Sequence, residues 1–505
     1  MKKWLVPVLF VGFFLYYWLR MIVFLDTDFG WHVRMGEIIL STGFPATDPF
    51  SYTMPSYPVI DHGWGIDVFI ASLLPLLGYH ALAFVFALPV VAALCLAWQM
   101  IPVPQRKFAL LPLFLVGMSL GLFLLVRPLV FSWLFFVLVY YVCRDWSLFA
   151  RFRFVLPVLF AFWANLHGGF PMGLVVLAVA CWYWWWQKKS SLLSSGVLFA
   201  CCLLATLFTP YGYNLWWEVW TSMSDGSLRW IIQEWMPAFF SFALLLWTYI
   251  FLSALLFLRY RKRFTLFEQV LYIALLIATI MSIRHAPYWL LVSLPITTVS
   301  LAFFIKEVHG LAEGKRRLAI AVKGFVIILA LFFLQDAITV SSGLGLFGKY
   351  DPYPIGGITY LREHLPKGEI FAPYNWGGYF IWQLPEKKVF VDGRMPSWRW
   401  HASSAESTNA FGEYRAFQHG EIPFEEVTQK YTISTLVFPT TKPPREEGMT
   451  EWFILWSNHI FAFPLPESML FAYLEKEAKA YGWKEVYRDK TVVIYQDLQL
   501  EKAKP

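Results

Sequence analysis

The chain has 505 residues, 58% hydrophobic and 15% charged, whereas soluble domains carry about 25% charged residues. That surplus of apolar surface needs lipid as a solvent, which excludes a wholly water-soluble globule. The formal charge of +7 sits mainly in short loops between apolar runs, where membrane topology explains it, so no nucleic-acid partner is implied.

Lys2 and Lys3 open the chain, and the apolar run that follows has no small-residue cleavage site behind it, so it reads as an uncleaved first helix rather than a removed signal. Crossing about 30 Å of hydrocarbon takes about 20 apolar residues. On that measure spans fall at residues 4–25, 79–100, 108–126, 128–143, 154–165, 168–186, 196–209, 238–258, 265–283, 286–305 and 318–340. The runs from 128, 154 and 196 are short for a crossing and have to tilt or extend into polar flanks. Trp182 to Trp186 is an aromatic cluster at a span end, suited to the headgroup layer. All five cysteines lie within or beside apolar runs, so neither a disulfide framework nor a thiolate metal site is expected.

Alternate loops differ in basic residues. One set holds Lys2, Lys3, Arg106, Lys107, Arg144, Arg151, Arg153, Lys188, Lys189, the run 259–263, Lys306 and 315–317, and the other mainly Arg34, Arg127, Arg229 and Arg284. The richer set marks the cytoplasm, which places the N-terminus inside and everything after residue 340 outside the inner (plasma) membrane. The expected fold is a polytopic α-helical membrane protein: a bundle of about eleven transmembrane helices over residues 1–340, then an extracytoplasmic α/β domain over 341–505. Outside loops at 26–78 and 211–237 are placed to cover a cavity in the bundle, and part of the first, 64–77, suits a helix lying on the membrane surface. In the last third, strands are expected at 369–372, 388–391, 435–438, 484–487 and 491–495, with helices at 355–364 and 469–480.

Residues able to do chemistry gather on the outside. Asp26 and Asp28 stand at i and i+2 where the first span ends, with His32, Arg34 and Glu37 following and Asp61 and His62 further along the loop. Two such carboxylates can share a metal ion or serve as a base, and helix capping is the competing reading. Arg127, His167, Arg284 and His285 lie at outside helix ends, with Glu234 in the second loop. Ionisable groups at such depths are costly, and they point to a charged ligand such as a phosphate, with snorkelling to headgroups as the alternative. Asp392-Gly393-Arg394 after an expected strand reads first as a structural turn and ion pair. The sequence has no dinucleotide fingerprint, P-loop, HExxH or GxSxG motif.

The stretches 26–37, 47–53, 62–64, 163–170, 210–212, 234–237, 376–379 and 389–394 together resemble a large group of bacterial GT-C-like membrane proteins. The wider GT-C superfamily includes oligosaccharyltransferases, protein O-mannosyltransferases and lipid A aminoarabinose transferases. The resemblance implies an inverting glycosyltransferase of the cell envelope, with membrane lipids around it and a polyprenyl-phosphate-linked sugar as donor. The acceptor is an unidentified glycan, lipid or protein. It also gives a first-loop carboxylate, Asp28 or Asp26, the catalytic role, with the other supporting it or binding a divalent ion such as Mg2+ or Mn2+. Thr27 and Gly30 stand where relatives often carry Pro and Trp, a departure at the heart of the motif. Substrate contacts would fall to His32, Arg34, Asp61, His62, Arg127, His167, Glu234, Arg284 and His285. Two rival readings are a transporter or flippase of a lipid-linked envelope precursor and a non-catalytic membrane scaffold.

Overall fold

The computed structural model describes residues 5–230, 232–240, 244–309, 324, 353–401, 403, 405–440 and 467–502. The expected span at 318–340, apart from residue 324, and the boundary expected at 340/341 lie outside the described residues.

Among the described residues, four helical stretches are long and apolar enough to cross a membrane: Leu5–Val23, Trp64–Gln99, Trp146–Leu166 and Ile283–Val308. Five shorter apolar helices, Leu110–Gly121, Leu129–Cys143, Phe170–Trp186, Leu192–Ala205 and Leu266–Met281, pack among them. Helix Trp64–Gln99 is two helices joined at Gly78, whose φ of 72° only glycine adopts easily; the break falls where the sequence separates a surface helix from a span. The third long stretch begins at Trp146, ahead of the short run expected from 154, because Asp145 caps it through Ser147 and Leu148 and gathers the preceding polar residues into the helix.

At the other end of the chain a four-stranded sheet runs in the order β1 (Glu369–Phe371), β2 (Ile433–Pro439), β4 (Val492–Gln496), β3 (Lys484–Arg488). β1 is parallel to β2, and the β2/β4 and β3/β4 pairs are antiparallel. Helices Ile355–Glu363, Ala410–His419 and Glu467–Ala480 are among those that cover it. The run 388–391, expected as a strand of this sheet, is not part of it. Val389 pairs instead with the first loop, accepting from Tyr52 N (3.1 Å) and donating to Phe50 O (2.9 Å). Its backbone finds partners, as buried backbone must, but from a segment more than 300 residues away in sequence.

That pairing is one part of a larger joint. Helix Phe29–Thr42 of the first loop is buried on two faces: Phe29 and Val33 enter the core of the bundle, and Trp31 and Met35 enter the core of the C-terminal sheet. Phe50, Met54, Tyr57 and Val59 join the second core as well. Tyr57 stacks on Trp398 with ring centroids 4.0 Å apart, and Thr53 Oγ1 donates to Phe390 O at 2.6 Å. Glycines permit the approach. A Cβ on Gly30 would fall 1.9 Å from Gly378 O, and one on Gly378 would fall 2.1 Å from Thr27 O. The departure at Gly30 noted in the sequence is therefore required by backbone contact. The loop is as much a layer of the C-terminal core as a cover for the bundle.

Candidate active site

The first span ends, the chain turns at Asp26-Thr27-Asp28, and the loop helix begins at Phe29. Asp28 stands at the N-cap position but makes no side-chain cap hydrogen bond; Asp26 Oδ1 does the local work by accepting from Asp28 N at 3.1 Å. The capping reading of the pair thus applies to Asp26 alone, and the Asp28 carboxyl is left for other use. Asp26 Oδ2 also lies 2.6 Å from Arg127 Nε, in an oblique ionic approach. Arg127 Nη1 reaches Glu234 Oε2 at 3.1 Å. Three segments distant in sequence are joined by this acid–base–acid chain, and Ile283 N to Met236 O (2.9 Å) ties in the turn that carries Arg284.

The electrostatics follow from crowding at low water content. Burial, and then the charge of Asp26, push the Asp28 carboxyl up to about 6, with Arg127 and His32 pulling the other way. Burial works against the charge of Glu234, yet Arg127 and Arg284 outweigh it and hold Glu234 below the usual carboxylate range. Burial and then Arg284 bring His62 down to about 4, and burial with His62 beside it keeps His167 well below the ordinary imidazole value. Both histidines are therefore neutral near pH 7.

His167 is held in one tautomer. Its Nδ1 accepts from Gly169 N (2.9 Å) and lies 2.8 Å from Ser132 Oγ, which in turn accepts from Trp163 Nε1 at 2.7 Å. The Gly169 N–H can only donate, so Nδ1 is the acceptor and the ring proton of His167 sits on Nε2 as a fixed donor. The His62 ring lies 5.7 Å away. Gly63, Gly65 and Gly168 allow this packing; a Cβ on Gly65 would meet Asn165 O at 2.7 Å. Arg284 lies over the Trp235 ring at 4.9 Å, and among the described residues no carboxylate is within ion-pair reach of it.

The C-terminal unit forms one wall of the site. A Cβ on Gly393 would fall 1.8 Å from Asp28 Oδ1. Beside it Arg394 grips Asp392 through two hydrogen bonds (2.8 and 2.6 Å) and reaches Asp48 of the first loop at 2.8 Å. The turn read from sequence as structural clamps the first loop to the C-terminal unit. Gly393→Ala is expected to leave folding nearly unchanged, because the three nearest atoms all belong to the Asp28 side chain. Its effect should fall on the position of the Asp28 carboxyl alone. Thermal unfolding of the variant close to that of the wild type checks this, and a large loss of stability would contradict it.

Of the other residues singled out in the sequence, Asp26, Asp28, His32, His62, Arg127, His167, Glu234 and Arg284 surround one region, as their mutual electrostatic influence shows. His285 follows Arg284 in the short turn Ile283–His285. Arg34 turns away: it pairs with Glu37 and lines a small surface pocket with Lys387 and Lys388. Asp61 is buried behind His32 against Asp67, and it accepts from Gly63 N at 2.8 Å. Asp67, Ser132 and Gly393 were not singled out as site residues. A lone acid in the first turn of a helix and a serine in an apolar run give no local signal, and the Asp392-Gly393-Arg394 turn reads first as structural. A divalent ion does not suit this donor set. The Asp26 carboxylate already faces a guanidinium, and among the described residues no three His, Cys, Asp or Glu side chains converge as ligands.

No protein-family model matches the chain, and no curated protein matches it significantly. Among solved structures it is similar to the crystal structure of the oligosaccharyltransferase of Archaeoglobus fulgidus tethered by a disulfide to an acceptor peptide containing the NVT sequon. Sequence identity is 15%, the match covers 87% of this chain and 69% of that one, and the TM-score is 0.56. At that identity the likeness is one of fold alone, and it goes with the four described helices that are long and apolar enough to cross a membrane.

Proposed function

We propose that the protein is an inverting membrane glycosyltransferase that moves a sugar from a polyprenyl-phosphate-linked donor to an acceptor at the outer face of the inner membrane. The observation that carries this reading is the Asp28 carboxyl. It is free of capping duty, is raised to about 6, and lies within electrostatic reach of Arg127, His32 and Glu234, the last of which Arg284 also acts on. A general base works best with a pKa near the working pH. Asp28 takes the proton of an acceptor hydroxyl or amide as the acceptor attacks the anomeric carbon. The carbon–oxygen bond to phosphate breaks on the opposite face, and its electron pair leaves on the phosphate.

That growing negative charge meets Arg284 and the Nε2–H of His167, donors fixed before the reaction starts and acting in a poorly hydrated cleft. Arg127 is engaged by Asp26 and Glu234, so its part is to hold the acids in place. The topology that goes with this reading has residues 1–340 as the bundle with a cytoplasmic N-terminus, and 341–505 as an extracytoplasmic unit that presents the acceptor to the first loop. The likeness of fold to an oligosaccharyltransferase supports the reaction class at a coarse level.

The test is release of polyprenyl phosphate from a labelled lipid-linked sugar in proteoliposomes. Release that depends on added acceptor is the expected result. Movement of intact donor across the bilayer without release would favour a flippase, and neither event would favour a scaffold.

A further inference from the structure

Behind Asp28 lies a second group of ionisable side chains that the transfer step above does not use. His32 is one helical turn on from Asp28, and its backbone N–H donates to Asp28 O at 3.3 Å. Side chains four apart on a helix share a face, so the imidazole sits beside the carboxyl. His32 Nδ1 lies 2.6 Å from Asp67 Oδ1, with 7% of the histidine side chain and none of the aspartate side chain exposed. Asp67 comes from the first turn of helix Trp64–Gln99, and its carboxyl meets that of Asp61, itself 5% exposed. Asp61 Oδ2 and Asp67 Oδ2 are both buried with no conventional donor to satisfy them.

Two facing carboxyls out of water cannot both be ionised, and a single proton between them satisfies both orphaned oxygens. Asp61 keeps that proton, because its other partner is the neutral Gly63 amide (2.8 Å), whereas Asp67 faces at 2.6 Å an imidazole that can itself take up positive charge. The order is then fixed: Asp61 O–H donates to Asp67, Asp67 accepts from His32 Nδ1–H, and the lone pair of His32 is on Nε2. Burial works against a proton on this ring, while the carboxylates of Asp28 and Asp26 beside it favour one and Arg127 opposes it.

We propose that Asp67, held ionised by Asp61, positions His32 as the acceptor of the proton that Asp28 takes from the acceptor substrate. This rests on the transferase reading above. In the first step the acceptor's O–H or N–H bond breaks and the proton goes to Asp28, while the phosphate leaves with the electron pair of the glycosidic bond. In the second step the proton passes from Asp28 to His32 Nε2. Asp28 becomes a carboxylate again, and the imidazolium is stabilised by Asp67. Proton loss from Nε2 to water completes the cycle with no other reactant. Asp67 and Asp61 touch no substrate and are positioning residues.

The test compares Asp67→Asn, Asp67→Glu and His32→Gln with the wild type in the proteoliposome assay, alongside proton NMR of the purified full-length protein. A buried imidazole N–H held by a carboxylate gives a far-downfield resonance, which should be present in the wild type and absent from Asp67→Asn and His32→Gln. Turnover of Asp67→Asn should fall roughly 10- to 100-fold with the KM for donor and acceptor unchanged. His32→Gln should fall alike, and the double variant no further, as expected of residues acting as a unit. Asp67→Glu should recover part of the loss and the acid limb of the pH profile.

Full turnover by Asp67→Asn, additive losses in the double variant, or no downfield resonance in the wild type would each overturn the relay. A wild type that shows the resonance but transfers no sugar would overturn the transferase reading itself, leaving the hydrogen-bonded pair intact but without this task.

Discussion

Asp28→Asn is expected to lower acceptor-dependent transfer by about 10²- to 10⁴-fold, the range for removing a general base, without lowering stability at neutral pH. The two halves of that expectation have one cause. The surroundings push the Asp28 carboxyl up to about 6, so on balance they disfavour its charged form. An acid whose folded value is raised adds stability below its unfolded value, near 3.8, and that contribution is lost as pH rises through about 6. Above pH 6 the native state therefore carries an unwelcome charge, which the neutral amide removes. The wild-type rate should fall as pH drops through about 6, where the base becomes protonated, and the residual activity of the variant should lack that limb. Thermal unfolding at pH 7 and initial rates between pH 5 and 8 check both. An Asn variant that unfolds earlier and loses activity in proportion would make Asp28 a structural residue.

The parts of this site that the sequence reveals are those where physics forbids the residue elsewhere. Asp26, Asp28, Arg127 and Arg284 stand out because charges beside apolar spans are too costly to be incidental, and the structure gathers them. The same logic finds His167 but not Ser132, which hydrogen-bonds to its Nδ1, because a hydroxyl in an apolar run is cheap. Asp67 escapes notice because an acid in a first helical turn already has a reason to be there, the helix dipole. Asp61 is visible as a polar loop residue, but its burial against Asp67 is a tertiary fact.

Secondary structure follows a similar division. β2 and the terminal hairpin pair within the C-terminal unit and lie close to the expected limits. The run around Val389 has the composition of a strand, and what fails is the choice of partner, since the bridge goes to Ser51. No period in either segment encodes a match across the length of the chain. The double burial of helix Phe29–Thr42 is likewise invisible until two cores are known to meet there.

The joint between those cores makes the second large prediction: Arg394→Met should destabilise the protein by about 3–5 kcal/mol, the cost of breaking a buried ion pair from one side. The side chains of Asp48 and Asp392 are both fully buried, so removing the guanidinium leaves two carboxylates that share one cation and can no longer reach water. Asp48 is also tied to the loop backbone, accepting from Phe50 N and Ser51 N, and cannot swing out without dismantling the turn. Arg394→Lys keeps a charge but loses the two-pronged grip on Asp392 and the guanidinium's fit against the rings of Phe50 and Trp398, 4.8 and 5.1 Å away. Its loss should be intermediate.

The triple variant Asp48→Asn, Asp392→Asn, Arg394→Met should recover much of the stability, since the penalty comes from unmatched charge more than from missing contacts. Activity should not recover with it. The clamp holds the same loop whose first residues include Asp28, against the same turn whose Gly393 adjoins the Asp28 carboxyl. A loop restored in stability but freed from Arg394 would hold its base less firmly. Thermal unfolding and turnover measured on the three variants should therefore diverge, and a triple variant that regains both would reduce the clamp to a purely structural part.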